Sequence, residues 1–511
     1  MLSTITRPFE DYIDLARDLP NLERVSDLRA TIEAFVAAAV QPAMLDPGEE
    51  PLMLIADQWS VSEWNGRTVL QAWDQRRNLV RKITGLKEQR RDRLCLTTEH
   101  FRNAQAELQI ADLAAPNGRE LGRKTSRIAF CERFHLMLAR EWPEWQIVEI
   151  SADANLEESL STSYARAFLR LGSGGMAVVA APTDTAAPAC AGIVTTGLIW
   201  LDYLRRREKA CSVGRLLLYV PLGMEREVAF RAACLDPVRV ACQLFAFDER
   251  DRAGAIDFAD AGNIDSTLPP CRRPSSPNSE AQAFPEMPDV DRIELTDGSV
   301  SLQVRGLEFA RASAGKITCG ISRRKRSTIE TVVAMAREIS RVRDPRAEDR
   351  QHPLYSLDPE GWLESQVRAH PEAIDASLRS VPIYGQVPVF SGSERGVIDL
   401  LAIDHTGRLV VIEIKATADL QLPFQALDYW LRVRKHLEAG DFERLGYFAG
   451  HVVSREPPRI LLVAPALEFH STIETLLGAL APQIEVTRIG LAADWRSGLR
   501  VMFRLRGNER P

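Results

Sequence analysis

Polar and apolar positions from Gly396 to Trp430 fall into a pattern around which the rest of the chain is organised. Val397 to Ile403 is an apolar run broken only by Asp399, and Leu409 to Ile414 is a second broken only by Glu413. Asp404, His405, Thr406 and Gly407 make a turn cluster between them. Two apolar runs joined by so short a turn predict an antiparallel hairpin. Asp399 and Glu413 each lie 7 residues from Thr406. The spacing therefore places both carboxylates at one end of the hairpin. Lys415, two residues past Glu413, points to the same face.

The same reading predicts elements elsewhere. Arg67 to Trp73 alternates as a strand does, and a helix is expected near Thr98 to Leu113. The basic run from Arg76 to Arg93 reads as a solvated loop or a phosphate-contacting surface. Amphipathic spacing at Asp14 to Arg17 and Asp27 to Val40 predicts a helical arm, and Ser327 to Val342 a further helix. Around the hairpin the expected order is a helix at Glu360 to Ala369, an irregular edge segment at Val381 to Phe390, and a helix at Phe424 to Leu437. A strand at Arg459 to Val463, a helix at Ser471 to Leu480, and strands at Ile484 to Ile489 and Leu499 to Leu505 follow.

Composition adds bounds. The 511 residues are 45% hydrophobic and 26% charged, ordinary for a globular chain of several domains. The net charge of −6 gives no global argument for nucleic-acid binding, so such a surface must be local. The eight cysteines are scattered without a CxxC pair, which indicates neither a disulfide framework nor a zinc site. No run approaches a membrane span and no secretory pattern opens the chain, so a cytoplasmic protein is expected.

The chemistry follows from cost. A carboxylate buried in an apolar strand is expensive unless it is paired or holds a metal. Two carboxylates and a lysine converging at one strand end suggest a hard divalent cation. Mg²⁺ suits them, because it takes oxygen ligands from one or two carboxylates together with phosphate and water. Lys415 would orient or activate a water, or stabilise charge on a phosphate.

Ile398-Asp399, Glu413-Ile414-Lys415, and Gln425 with Tyr429 resemble the core of the PD-(D/E)xK nucleases in their RecB-like branch. That branch carries a QxxxY signature on the helix after the hairpin, here Gln425-Ala426-Leu427-Asp428-Tyr429. Val397-Ile398 precede Asp399 where a proline would complete the motif. The resemblance spans about 355–470 and implies an acidic residue on the helix before the hairpin, for which Glu364 is the candidate. It implies metal ligation by Asp399, Glu413, Glu364 and the Ile414 carbonyl, with Mg²⁺ or Mn²⁺ as the ion. Lys415, Gln425 and Tyr429 complete the implied catalytic set. The expected activity is metal-dependent hydrolysis of DNA phosphodiesters, and the same chemistry would serve on RNA. The alternative is a non-catalytic nucleic-acid-binding or assembly protein with an inactive nuclease fold. No membrane is implied, and protein partners would belong to a repair or defence system.

Residues 121–258 echo this core. Leu201-Asp202-Tyr203 matches Leu427-Asp428-Tyr429, and Arg215 to Pro221 matches Arg459 to Pro465. Glu132 stands in a helix as Glu364 does. Counting from Gly175 against Gly407 puts Ala167, Ala181 and Thr183 at the places of Asp399, Glu413 and Lys415, and Ile199 at that of Gln425. The earlier copy is thus expected to lack metal-binding groups. The fold expected is α/β: tandem restriction-endonuclease-like cores, each a mixed sheet flanked by helices and preceded by a small strand-and-helix domain. The limits are a helical arm at 1–45, a small α+β domain at 46–120 and the degenerate core at 121–258. A linker at 259–291, mobile at least in part, a second small domain at 292–350 and the nuclease core at 351–511 complete the chain.

Overall fold

Burial alternates along Arg67–Trp73, with Thr68, Leu70 and Ala72 inward, as in a strand half-covered by a core. In the computed structural model of the chain, the described residues are 28–509 except 65–66, 100–104, 261, 265, 272–284, 295–298, 314–315, 323 and 392–393. The expected helix at 14–17 lies outside them. The chain divides into two compact units, 1–136 and 137–511.

The first unit holds α1 (Leu28–Ala38), β1 (Pro42–Leu45), β2 (Leu52–Met53), β3 (Trp59–Trp64), β4 (Arg67–Trp73), β5 (Asn78–Gln89), β6 (Arg93–Glu99), β7 (Gln105–Asp112) and most of α2 (Pro116–Glu141). Its strands form one antiparallel sheet in the order β2-β1-β7-β6-β5-β4-β3. Ile32 of α1 packs with Leu70, Ile83, Leu96 and Leu108. Two expectations are corrected here. The segment expected as a helix at Thr98 to Leu113 is largely β7, whose Leu108 and Ile110 point into the core. The basic run expected as a loop is mostly β5. At least five of its eight cations are paired with carboxylates: Arg77 faces Asp74, Arg81 Asp46, Lys87 Glu107, and both Arg90 and Arg93 face Glu88. Those pairs weaken the phosphate-contact reading.

The second unit contains three sheets. The first is built from β8 (Gln146–Ser151), β9 (Ala165–Leu171), β10 (Gly174–Ala180), β11 (Ser212–Pro221), β12 (Ala241–Phe247) and β13 (Ala253–Ile256). α3 (Ala187–Ala191) and α4 (Ile193–Arg207) lie between β10 and β11, and α5 (Glu225–Ala232) between β11 and β12. A five-stranded antiparallel meander follows: β14 (Asp291–Glu294), β15 (Val300–Val304), β16 (Leu307–Ser313), β17 (Lys316–Cys319) and β18 (Lys325–Arg326), closed by α6 (Ile329–Val342). The last part contains α7 (Pro353–Ser356), α8 (Pro359–Ala369), α9 (Pro371–Ile374), β19 (Tyr384–Ser391), β20 (Glu394–Ile403), β21 (Leu409–Ile414), α10 (Leu422–Glu438), α11 (Asp441–Arg444), β22 (Arg459–Pro465), α12 (Ile473–Gly478), β23 (Val486–Leu491) and β24 (Val501–Arg506).

The two six-stranded sheets repeat one plan. Their orders are β8-β9-β10-β11-β12-β13 and β19-β20-β21-β22-β23-β24. In each, the first three strands pair antiparallel, the third to fifth pair parallel, and the sixth is antiparallel again. The chain is therefore mixed α/β, with sheets flanked by helices.

One core joins the halves of this unit. Leu198, Ile199, Leu201 and Leu204 of α4 share it with Phe424, Leu427 and Trp430 of α10 and Leu476 and Leu477 of α12. Each large apolar side chain buried there contributes about 1.5–3 kcal/mol. Backbone bonds cross the same seam: the Asp236 amide donates to the Ala479 carbonyl at 2.8 Å and the Ala481 amide to that of Cys234 at 2.9 Å. Ala187–Arg207 is long and apolar enough to cross a membrane, which the sequence reading did not anticipate, but 72% of its most apolar window is buried within the fold. It is a core helix, apolar because it is covered from both halves.

The linker is tied down where it is described. The Lys435 ammonium donates to the Ile264 carbonyl, the Tyr447 hydroxyl to that of Pro269 at 2.9 Å, and the Cys271 amide to that of Leu445 at 2.9 Å. Ser266 meets His436 at 2.9 Å. Residues 272–284 lie outside the described part.

Candidate active site

The hairpin forms with the expected register. Leu400 pairs with Ile412, Leu401 with Val411, Ala402 with Val410 and Ile403 with Leu409. Gly407 closes the turn at φ +86°, a conformation that favours glycine. Continued one step, the register sets Asp399 opposite Glu413. There the ladder stops, and the Asp399 carboxylate accepts the Ile414 amide at 2.9 Å. β21 is buried along its whole length, so Glu413 is only 2% exposed.

Lys415 lies beside both Glu413 and a residue the sequence reading passed over. Its ammonium is 3.6 Å from one Glu413 oxygen and 3.7 Å from Glu360, on the first turn of α8. The other Glu413 oxygen, Oε2, is buried and has no hydrogen-bond partner. Gln425 Oε1, on α10, is likewise buried and unpartnered. Buried acceptors without donors are uncommon, and each leaves a desolvation cost uncompensated.

Glu364 lies one turn after Glu360 on α8 and is buried. It accepts a bond from Gln386 at 2.5 Å and has Arg368 at 3.6 Å. Gly385 explains how β19 comes so close, since a Cβ there would lie 2.8 Å from Arg368 and 3.1 Å from the Glu364 carboxylate. Gln386 itself adopts φ +51°, a left-handed conformation unusual for a side chain of its size. α8 is anchored from below by Arg343, which is fully buried. Arg343 donates to the carbonyls of Leu354, Leu357, Arg305 and Asp358, and its guanidinium lies 4.7 Å from the Trp362 ring centroid.

Burial raises the site's acids. It pushes Asp399 up to about 6, against the pull of the Ile414 amide and Lys415. It pushes Glu364 up to about 7, with Asp399 adding to the rise and Arg368 opposing it. Glu413 is raised well above its ordinary range by burial and then by Asp399. For Lys415, burial is the largest influence and acts downward. Glu413, Glu360, Asp399 and Asp419 outweigh it and hold the ammonium above its usual range. Tyr429 is pushed up to about 12 by burial, Glu413 and Asp399. It also packs with Val433, Phe442 and Phe448, so it belongs to both the site and the core.

Glu364, Asp399, Glu413, Lys415 and Tyr429 thus share one electrostatic neighbourhood, with Glu360, Asp419, Arg368 and Gln386 added to it. Among the described residues no three His, Cys, Asp or Glu side chains stand close enough to cage a metal by themselves. Mg²⁺ does not require such a cage, because water and substrate phosphate complete its shell. The unpartnered Glu413 oxygen beside the Asp399 carboxylate fits a hard cation. A described cavity of about 410 Å³ lies elsewhere, against Leu198, Arg205, Arg239, Glu474 and Asn508 at the seam between the halves.

The earlier copy departs from expectation by two residues. Arg215 pairs with Met176, and its counterpart Arg459 with Val410. The amides just beyond also agree, Ala181 donating to Tyr219 and Lys415 to Val463. Val179 and Ala181 therefore take the places of Glu413 and Lys415, and the partner of Val179 is Arg166. Where Asp399 stands in one copy, a buried arginine stands in the other. Its guanidinium donates to the carbonyls of Ser161 and Asp153 and lies 5.9 Å from the Trp200 ring centroid. Glu132 is exposed and lies against Gly48 in the first unit. The chain matches no known family model, and no curated protein matches it significantly in sequence.

Proposed function

We propose that the chain is a metal-dependent nuclease whose single site, in the 351–511 core, hydrolyses DNA phosphodiesters. The observation that carries this reading is the buried Glu413 carboxylate: one oxygen faces Lys415 and the other has no donor, with Asp399 opposite. The mixed sheet flanked by helices and the repeat of its plan upstream accord with tandem restriction-endonuclease-like cores of the PD-(D/E)xK kind. Asp399, Glu413 and the Ile414 carbonyl would hold Mg²⁺ or Mn²⁺, with Glu364 joining directly or through water. When bound, the ion supplies Lewis acidity to the scissile phosphate and a more acidic water.

The protein's own groups do the rest. Lys415, protonated at neutral pH, donates to the attacking water or to a phosphate oxygen and offsets charge as the phosphorus–oxygen bond breaks. Gln425 would accept a hydrogen bond from that water through its unpartnered carbonyl oxygen. Tyr429 holds the position of α10 against the hairpin.

The test is cleavage of single- and double-stranded DNA across a Mg²⁺ titration. Asp399→Asn and Lys415→Ala should each lower the rate at least about 100-fold while the circular dichroism spectrum is retained. Wild-type rates in either variant would refute the assignment. A second reading, a nucleic-acid-binding or assembly module, draws support from the lack of a three-ligand cluster among the described residues. Salt-sensitive DNA binding without cleavage at any Mg²⁺ concentration would favour it.

A further inference from the structure

The earlier copy lacks the chemistry yet reaches into the helix that serves it. Arg231, on α5, is 6% exposed. Its guanidinium grips Asp428 with two bonds, Nε to Oδ1 at 3.0 Å and Nη2 to Oδ2 at 2.7 Å. Its remaining nitrogen donates to the Ala191 carbonyl at 2.6 Å, and the guanidinium lies 5.6 Å from the Phe424 ring centroid. Phe424 and Asp428 flank Gln425, and Asp428 adjoins Tyr429. A single side chain thus holds α10 on both sides of Gln425 and next to Tyr429, the residue that feels Glu413 and Asp399 of the hairpin. Two lesser ties point the same way: Thr195 donates to Gln421 at 3.0 Å, and Glu227 meets Arg432 at 3.5 Å. A bidentate arginine–carboxylate pair fixes orientation as well as distance, which a lysine cannot reproduce in full.

We infer that Arg231 is a positioning residue for the site: the chemically silent copy clamps α10 through Asp428 and so sets Gln425 and Tyr429 against the hairpin. The inference deepens the nuclease reading and rests on it for its effect on turnover. Small displacements of such groups cost rate more than binding. In the full-length chain, well below its unfolding temperature, Arg231→Met should lower kcat for Mg²⁺-dependent DNA cleavage about tenfold or more, with KM within about twofold. Arg231→Lys, which keeps the charge but not the two-point grip, should recover only part of that loss. Amide hydrogen exchange over residues 422–438 should quicken in Arg231→Met while that of β15 and β16 is unchanged. If Arg231→Met does not fold, Asp428→Asn, which keeps the shape and removes the charge, takes its place in both measurements. Unaltered exchange over 422–438, or an unaltered kcat in a chain that cleaves, overturns the clamp. A wild-type chain that cleaves nothing overturns the nuclease reading instead, and the exchange measurement then decides the clamp by itself.

Discussion

Glu413 and its neighbours show what single side chains can predict. With both Asp399 and Glu364 raised in the fold, the metal-free protein prefers their neutral forms. That preference favours folding in full below about pH 4, the range of unperturbed carboxylates. It is lost as pH rises through about 6 for Asp399 and about 7 for Glu364. Asp399→Asn should therefore stabilise the metal-free chain at pH 8 by roughly 2 kcal/mol and change little at pH 4, as read by denaturant unfolding. Metal affinity should run the other way. Binding must displace these protons, so Mn²⁺ should bind progressively more tightly from pH 6 to pH 8 in a calorimetric titration. At this scale the sequence was most readable where charge interrupts apolar runs, as at Asp399 and Glu413. Glu360 and Gln386 were not readable. Nothing in their local spacing says that α8 and β19 close on the hairpin end.

At the scale of elements, the hairpin was legible because its period and turn residues agree. The turn can be tested directly. A Cβ at Gly407 would lie 2.1 Å from the Val452 carbonyl, and the backbone there has φ +86°. Gly407→Ala should cost about 2–4 kcal/mol and lower the melting temperature by several degrees. Where local preference and tertiary context disagree, context won. The segment around β7 is rich in Ala, Gln, Glu and Leu, all good helix formers, yet it pairs with β1 and β6. The two-residue error between copies also has a physical source. Leu171 pairs with Gly174 across a two-residue turn, whereas Ile403 pairs with Leu409 across five. Gly407 belongs to that longer turn and Gly175 to a strand, so aligning the two glycines shifts the count.

Across the whole molecule, the repeat of one sheet plan was visible in the LDY and RxLL matches, but the seam was not. Sequence similarity between copies says nothing of which faces they share. A fragment of residues 292–511 would lay bare Phe424, Leu427, Trp430, Leu476 and Leu477, which are buried against α4 in the full chain. It should therefore bind hydrophobic dyes and unfold without a cooperative transition, whereas residues 137–511 should melt as one unit.

The common core also bears on descent. On the nuclease reading proposed above, the earlier half, with Arg166 at the place of Asp399, adds no ligand to the site, and sequence without a chemical role is ordinarily free to decay or be deleted. Here the earlier half forms one wall of the later half's interior. A lineage that discarded it would strip that wall from the later half, so the two halves should be inherited together.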